Sequence, residues 1–429
     1  MKNHWLAGYW HARREQSTEI DVQVLLDDEQ EMIRDAARAF LRGECSTKLV
    51  REMERDPKGY PPALWHKAAE LGWQGLCLPE TYGGSAMPLV YLGLVLQEIG
   101  RAVAPLPLLS TVVAALTIAR DGSDSQRDAI LPAVARGEKL LTWAVVENGA
   151  YCSPTAVHTT ARREGDDFVI NGSKLFVDNF VSADACLVAC RTSGDASRGA
   201  EGLSLFLVDT VSAGITHRAL VTTAKDQQSE VVFKDVRVPV GQCIGALDQG
   251  WPVVEAMLDV ATALLCAQML GAARKDAEMA IEYAKMREAF GQPIGAFQSV
   301  QHMCADMIIW IDGGELLTYE ALWKMDQGLP HTVEVSQAKA FCNEKCEAVV
   351  RNAQVIHGGI GFMMEFDLHL WFRRVSAWTM RLGTTHEHRA RIAHALLDLP
   401  GHVVLGRPVP VLTDEHPCDA LRQPAEFAH

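Results

Sequence analysis

A chain of 429 residues has room for two or three domains with sizeable cores. Its 48% hydrophobic and 22% charged residues are those of an ordinary soluble protein. A net charge of −14 with no cluster of Lys and Arg excludes a nucleic-acid partner, because neutralising phosphates takes clustered cations.

Met1 to Glu19 lacks the continuous apolar core of a signal peptide, and the most apolar run, Met257 to Ala273, contains Asp259 and is short for a bilayer. A cytoplasmic protein with no membrane partner is expected. The eleven cysteines form no Cys-x-x-Cys pair. Cys186 and Cys190, in a strand-like run, and Cys342 and Cys346, on a helix, read as small buried apolar groups. His386 and His388 read as polarity at a helix start, and no metal is expected.

Residues 1–24 read as an extension. From Leu25 a helix opens, with acidic Asp27, Asp28 and Glu29 in its first turn and Met32, Ile33, Ala36 and Phe40 at helical spacing. Further helical patterns cover about 62–71, 87–100, 109–119 and 125–136, giving an N-terminal helical domain over 25–140. From Leu141 short runs rich in β-branched and aromatic residues follow: 142–146, 158–162, 168–170, 174–177, 185–190, 204–208 and 230–238. Turns such as Asn171-Gly172 separate them, and they predict a β-barrel or sandwich over 141–245. Past Gly250 the chain is helical to about Leu399. Strong helix formers run from Trp251 to Met286, Gly291-Gln292-Pro293 stops that helix, and Met303, Met307, Trp310 and Ile311 mark the next. The expected class is α+β, ending in a four-helix bundle over 246–399 and a proline-rich tail over 400–429.

Arg287, one helical turn before Phe290-Gly291, with Phe297-Gln298 seven residues after Phe290, resembles the signature of the acyl-CoA dehydrogenase family. Leu78-Pro-Glu-Thr-Tyr-Gly-Gly84, Phe168-Val-Ile-Asn-Gly-Ser-Lys174, Val232 to Pro239 and Gln354-Val-Ile-His-Gly-Gly-Ile-Gly-Phe362 are similar to that family as well. The resemblance implies FAD held from two sides across a subunit interface, with Arg287, Phe290, Gln298, Gln354, Gly358 and Gly359 reaching the neighbour's FAD. Those residue types suit such a cradle. A forked guanidinium fits a pyrophosphate, an aromatic ring packs on a flat heterocycle, an amide completes the hydrogen bonding, and glycine permits close backbone approach. On the chain's own side, the resemblance implies Phe176 and Thr384 as flavin contacts.

The family's reaction removes a proton alpha to the thioester while a hydride leaves the beta carbon for the flavin, so a carboxylate base is required. At the family's Glu-Gly-Thr motif this chain reads Leu382-Gly383-Thr384, and at the alternative Glu-Arg position it reads Ala261-Thr262. Asp259 points about 200° away from Ala261 on a helix. No catalytic residue is assigned. The family's Thr-Glu-Pro-Gly-Ala-Gly-Ser-Asp becomes Val146-Glu-Asn-Gly-Ala-Tyr151-Cys-Ser153, and its Trp-x-Thr becomes Phe176-Val177-Asp178.

Own-side contacts are thus altered and partner-side contacts kept. That asymmetry resembles the base-lacking subunit of the bacterial heterotetrameric acyl-CoA dehydrogenases that break down steroid side chains and other bulky acids. The expectation is an FAD-linked alpha,beta-desaturation of an acyl-CoA, with a paralogous subunit or a second copy completing a tetramer and an electron-transfer flavoprotein as acceptor. Two alternatives stay open: an active homotetramer whose carboxylate has moved to Asp178 or Glu147, and a flavin-free scaffold or acyl-CoA-binding subunit. Small residues Ala261, Thr262 and Ala263 read equally as a widened acyl slot or a tight core.

Overall fold

The computed structural model describes residues 26–149 and 152–398, with the backbone of residues 403–404 and 407–408. The extension expected at 1–24, Leu25, Tyr151 and the tail expected at 400–429, apart from those two pairs, lie outside the described residues.

The first layer is helical: α1 (Asp28–Glu44), α2 (Thr47–Met53), α3 (Pro62–Glu70), α4 (Leu89–Arg101), α5 (Leu108–Asp121) and α6 (Asp124–Ala135). Asp27 caps α1 by accepting from the Gln30 backbone N–H, and the Gln30 side chain answers in a capping box. α3 starts on a proline, whose fixed φ suits a first turn. α2, seven residues long, is too short to show a period, so the sequence pattern does not reveal it.

The middle layer is one eight-stranded sheet of β1 (Leu141–Ala144), β2 (Thr160–Glu164), β3 (Asp167–Asp178), β4 (Ala185–Arg191), β5 (Leu203–Asp209), β6 (Ile215–Ala219), β7 (Gln228–Pro239) and β8 (Cys243–Ile244). The order is β6-β7-β3-β2-β4-β5-β8, with β1 parallel to β4. Asn171-Gly172 is not a turn. It lies inside the continuous β3, where the register with β7 shifts between Ile170 and Gly172. Gly172 has φ +152°, and a Cβ there would stand 2.5 Å from Thr159 Oγ1. The true hairpin turn is Gly165-Asp166, between the paired Glu164 and Asp167.

The last layer holds α7 (Trp251–Met286), the short ladder β9 (Glu288–Ala289) with β10 (Gln292–Pro293), α8 (Gln298–Asp326), α9 (Thr332–His357), α10 (Leu368–Trp378) and α11 (Thr385–Leu397). α7, α8, α9 and α11 are the bundle, with α10 laid against α7. By length and composition α7 is apolar enough to cross a membrane, but 67% of its most apolar window is buried inside the protein, where it packs on α4, α8 and α9. One apolar core runs through both helical layers and onto the sheet face carrying Leu187 and Leu205. A second fills the sheet's other side around Ile170, Val188, Phe206 and Val231. Strand β4 alternates between the two cores, which is why its residues 185–190 are all apolar.

Candidate functional site

At one end of the bundle, α7 stops at Met286 with Arg287 as its C-cap, four residues earlier than the Gly-Gln-Pro stop. The chain reverses through Phe290 (φ +56°) and Gly291 (φ +81°) between β9 and β10. Phe290 is 94% exposed, touching Phe297 edge-on at 6.1 Å. Gln298, first residue of α8, is exposed beside it. Tyr283 stacks on His357 at 4.4 Å between ring centroids, which ties the end of α7 to the end of α9. The Arg287 hairpin and the turn at Gly358 and Gly359 therefore share one end of the molecule. Gly358 has φ +61°, and a Cβ on either glycine would meet nothing within 4 Å. Among the described residues, Gln354 Oε1 and His357 Nε2 beneath them are buried without partners. Exposed Val355, Phe362 and Met363 complete an apolar surround.

The own-side residues lie elsewhere. At the junction of the three layers is a cavity of about 90 Å³ whose lining includes Trp143, Asp178, Asp226, Leu265, Arg374, Trp378, Arg381 and Leu382, and none of the six partner-side residues. Arg381 bridges the sheet to the bundle: Nη1 donates to Asp178 Oδ1 at 2.7 Å and Nη2 to Asp226 Oδ2 at 2.6 Å. Burial raises the Asp178 pKa, against the pull of Arg381. Burial also works against Asp226, but Arg381 and Arg374 outweigh it and hold that carboxyl below its ordinary range. Asp178 Oδ1 is further bound by Gln228 Nε2, whereas Oδ2 makes no hydrogen bond among the described residues.

Leu382 sits beside Arg381 in the loop between α10 and α11, with φ +56°. Three donors fix that loop: Lys339 Nζ to the Trp378 carbonyl at 2.7 Å, Asn343 Nδ2 to the Gly383 carbonyl at 3.2 Å, and His388 Nε2 to the Leu382 carbonyl at 2.8 Å. His388 is thus a buried loop anchor and not mere helix-start polarity. Thr384 spends its hydroxyl on the capping box of α11 with Glu387, and Phe176 is exposed with φ +53°. Sequence reasoning misses Asp226, Lys339, Asn343 and the bridging role of Arg381. One signal is in view there: an acid replacing a hydroxyl at 178, with an Arg next to 382.

Two candidate bases fare differently. Glu147 accepts from the backbone N–H groups of His158 (2.9 Å) and Thr159 (3.0 Å) and from Lys174 Nζ (2.7 Å). Burial alone would raise its pKa, but Lys174 outweighs that and lowers it, so Glu147 is a structural carboxylate. Asp259 is likewise held by Arg391. Among the described residues at the cavity, only Asp178 keeps a carboxylate oxygen without a hydrogen bond. Ala261, Thr262 and Ala263 are buried and do not line it, which favours the tight core. Among the described residues no group of His, Cys, Asp and Glu can hold a metal.

Family models for the acyl-CoA dehydrogenase N-terminal, middle and C-terminal domains match residues 27–138, 142–236 and 248–397. The chain belongs to the acyl-CoA dehydrogenase family. Relatives of this family member include a 3-(aryl)acrylate reductase of Clostridium sporogenes, 31% identical over 86% of this chain and 99% of that one. Another is a caffeyl-CoA reductase-Etf complex subunit of Acetobacterium woodii, 30% identical over 86% and 98%. The ChsE4-ChsE5 complex of Mycobacterium tuberculosis is a structural match, with TM-score 0.80, 25% identity and coverage of 88% and 99%. The family consists of FAD-linked oxidoreductases acting on CH–CH bonds of acyl-CoA thioesters. Against that cofactor the two halves of this chain differ. The bundle-end platform suits FAD, offering an exposed cation, a ring, an open glycine turn and unpartnered buried polar atoms. The inner cleft fits it less well, because Asp178, which stands where the family has a hydroxyl, is already spent on Arg381.

Proposed function

We propose that this chain is the base-lacking subunit of a hetero-oligomeric acyl-CoA dehydrogenase, supplying the outer half of an FAD site whose inner half belongs to a paralogue. The observation that carries the reading is the split: the Arg287–Gly359 platform is exposed, while the charged groups of the cleft are tied up in the Asp178–Arg381–Asp226 bridge. In this reading Arg287 holds the pyrophosphate, Phe290 covers the ring system, and Gln298 and Gln354 complete the hydrogen bonding. The paralogue provides the carboxylate that takes the alpha proton, and FAD, when bound, accepts the hydride. Electron-transfer flavoprotein as acceptor and a cytoplasmic setting belong to the same proposal.

The test is flavin content. Produced alone, the chain is expected to be colourless; co-expressed with a paralogue bearing the Glu, the complex is expected to carry about one FAD per pair of chains. Arg287→Ala should strip flavin from that complex without dissolving it. A yellow, turning-over homomer would overturn the proposal. Asp178 would then be the base, because among the described residues at the cavity only its Oδ2 remains without a hydrogen bond, and Asp178→Asn would abolish turnover.

A further inference from the structure

The turn at Gly358 and Gly359 has little to give it a shape of its own. Gly358, Gly359 and Gly361 fall within four residues, and residues 358–365 are exposed apart from Gly361. Glycine has the most conformational freedom to lose, and a surface that must meet a ligand in one shape gains affinity when it is held in that shape beforehand. The entry of the turn is held by the stack of Tyr283 on His357. Its exit is held by His369 of α10, whose Nε2 stands 3.1 Å from the Met364 carbonyl oxygen. Among the described residues this is the one side-chain hydrogen bond to the main chain of residues 358–366.

His369 is buried, and its two neighbours fix which nitrogen carries the proton. A carbonyl only accepts, so Nε2 bears the hydrogen and donates it. Arg373 Nε only donates, and it lies 3.1 Å from Nδ1, so Nδ1 is bare and accepts. The ring is a neutral coupler, with its donor towards the turn and its acceptor towards α10. Burial, and then the charge of Arg373, hold its pKa below the ordinary value. Arg373 is itself fixed from the other two layers. Its Nη2 donates to Glu54 Oε1 at 2.7 Å, just past α2, and its Nη1 to the Thr223 carbonyl at 3.2 Å, in the loop between β6 and β7. Arg51 of α2 donates to Asp367 Oδ1 at 2.8 Å, next to the start of α10. Helical layer, sheet and bundle therefore converge on one imidazole, and through it on one carbonyl.

We propose that His369 is a positioning residue for the glycine turn, holding its exit through the Met364 carbonyl so that Gly358 and Gly359 meet the FAD in a preformed shape. It acts through the main chain at 364, not by contact with the ligand. The inference rests on the subunit reading for the identity of that ligand, and on the hydrogen bonds alone for the shape of the turn.

Two substitutions separate the two ring nitrogens. Gln puts its amide where Nε2 stands and still donates to Met364, whereas Asn puts its amide where Nδ1 stands, accepts from Arg373 and falls short of Met364. Hydrogen–deuterium exchange of the isolated chain reads the turn without flavin or turnover. His369→Asn should speed exchange across 358–366 about fivefold or more, the loss of one hydrogen bond, while His369→Gln stays within about twofold of the parent. Both should keep the parent's circular dichroism. In nitrogen-15 histidine spectra at about pH 7, the signal that His369→Gln removes should be that of a neutral ring protonated at Nε2. Flavin release is timed in whichever assembly carries FAD, the complex with the paralogue or a yellow homomer. It should be about fivefold or more faster with His369→Asn and unchanged with His369→Gln. Equal exchange in the two variants, a ring that is charged or protonated at Nδ1, or a loosened turn that releases FAD at the parental rate overturns the proposal. The exchange and nitrogen results are read on the isolated chain, so they stand or fall apart from the flavin-content experiment.

Discussion

His388 and Asp276 are two buried titratable groups with opposite consequences for pH. His388 donates through Nε2 to the Leu382 carbonyl, leaves Nδ1 buried without a partner among the described residues, and has its pKa pushed down by burial to about 4. The native imidazole stays neutral, while the unfolded chain binds a proton below about pH 6.5. Stability should therefore be lost as pH falls from about 6.5 towards 4, by on the order of 2–3 kcal/mol. His388→Gln should flatten that loss, read as the denaturation midpoint at about pH 7 against about pH 5. Asp276 lies in α7 with both oxygens buried and without a partner among the described residues, and burial raises its pKa well above the ordinary value. Its native form holds a proton that the unfolded chain releases above about pH 4. Stability should then decline as pH rises past that point, and Asp276→Asn, of the same shape, should remove the decline in Tm between about pH 5 and 8.

Helices α4 and α7 cross with almost no space between their backbones. A Cβ on Gly271 would fall 1.7 Å from the Gln97 carbonyl oxygen, and one on Gly100 would fall 1.9 Å from that of Gln268. Gly271→Ala must push the helices apart across a core shared by both helical layers, so a loss of roughly 3 kcal/mol or more is expected, visible as a large drop in Tm. Such crossings are invisible in a single sequence, where Gly100 and Gly271 are merely helical glycines. The long periodic helices are legible, because α4 to α9 carry enough turns for their apolar spacing to register. β3 reads as two strands because Asn-Gly is the commonest hairpin signal, and only the packing of Thr159 against Gly172 turns it into a bulge. β6, mostly exposed, lacks the apolar run that marks its neighbours.

Across the whole molecule the residues of the proposed platform stand out in the sequence because they are sequence-local: a hairpin tip and a glycine turn. Those of the cleft do not, because Asp178, Asp226 and Arg381 come from three distant segments that only the fold joins. The platform also predicts association. Phe290, Phe362, Met363 and Val355 leave four large apolar side chains exposed on the hairpin and glycine-turn segments, the kind of surface that association covers. Phe290→Asp should shift the mass measured by light scattering on a sizing column towards the monomer, without changing the circular dichroism of the chain.

The Trp378–Gly383 loop is gripped through its main-chain oxygens by Lys339, Asn343 and His388, and none of those bonds involves the side chain at 382. Its shape is accordingly indifferent to whether that side chain carries an acid. In the proposed reading, a duplicated gene can therefore lose its acid at this position while the loop keeps its main-chain anchors.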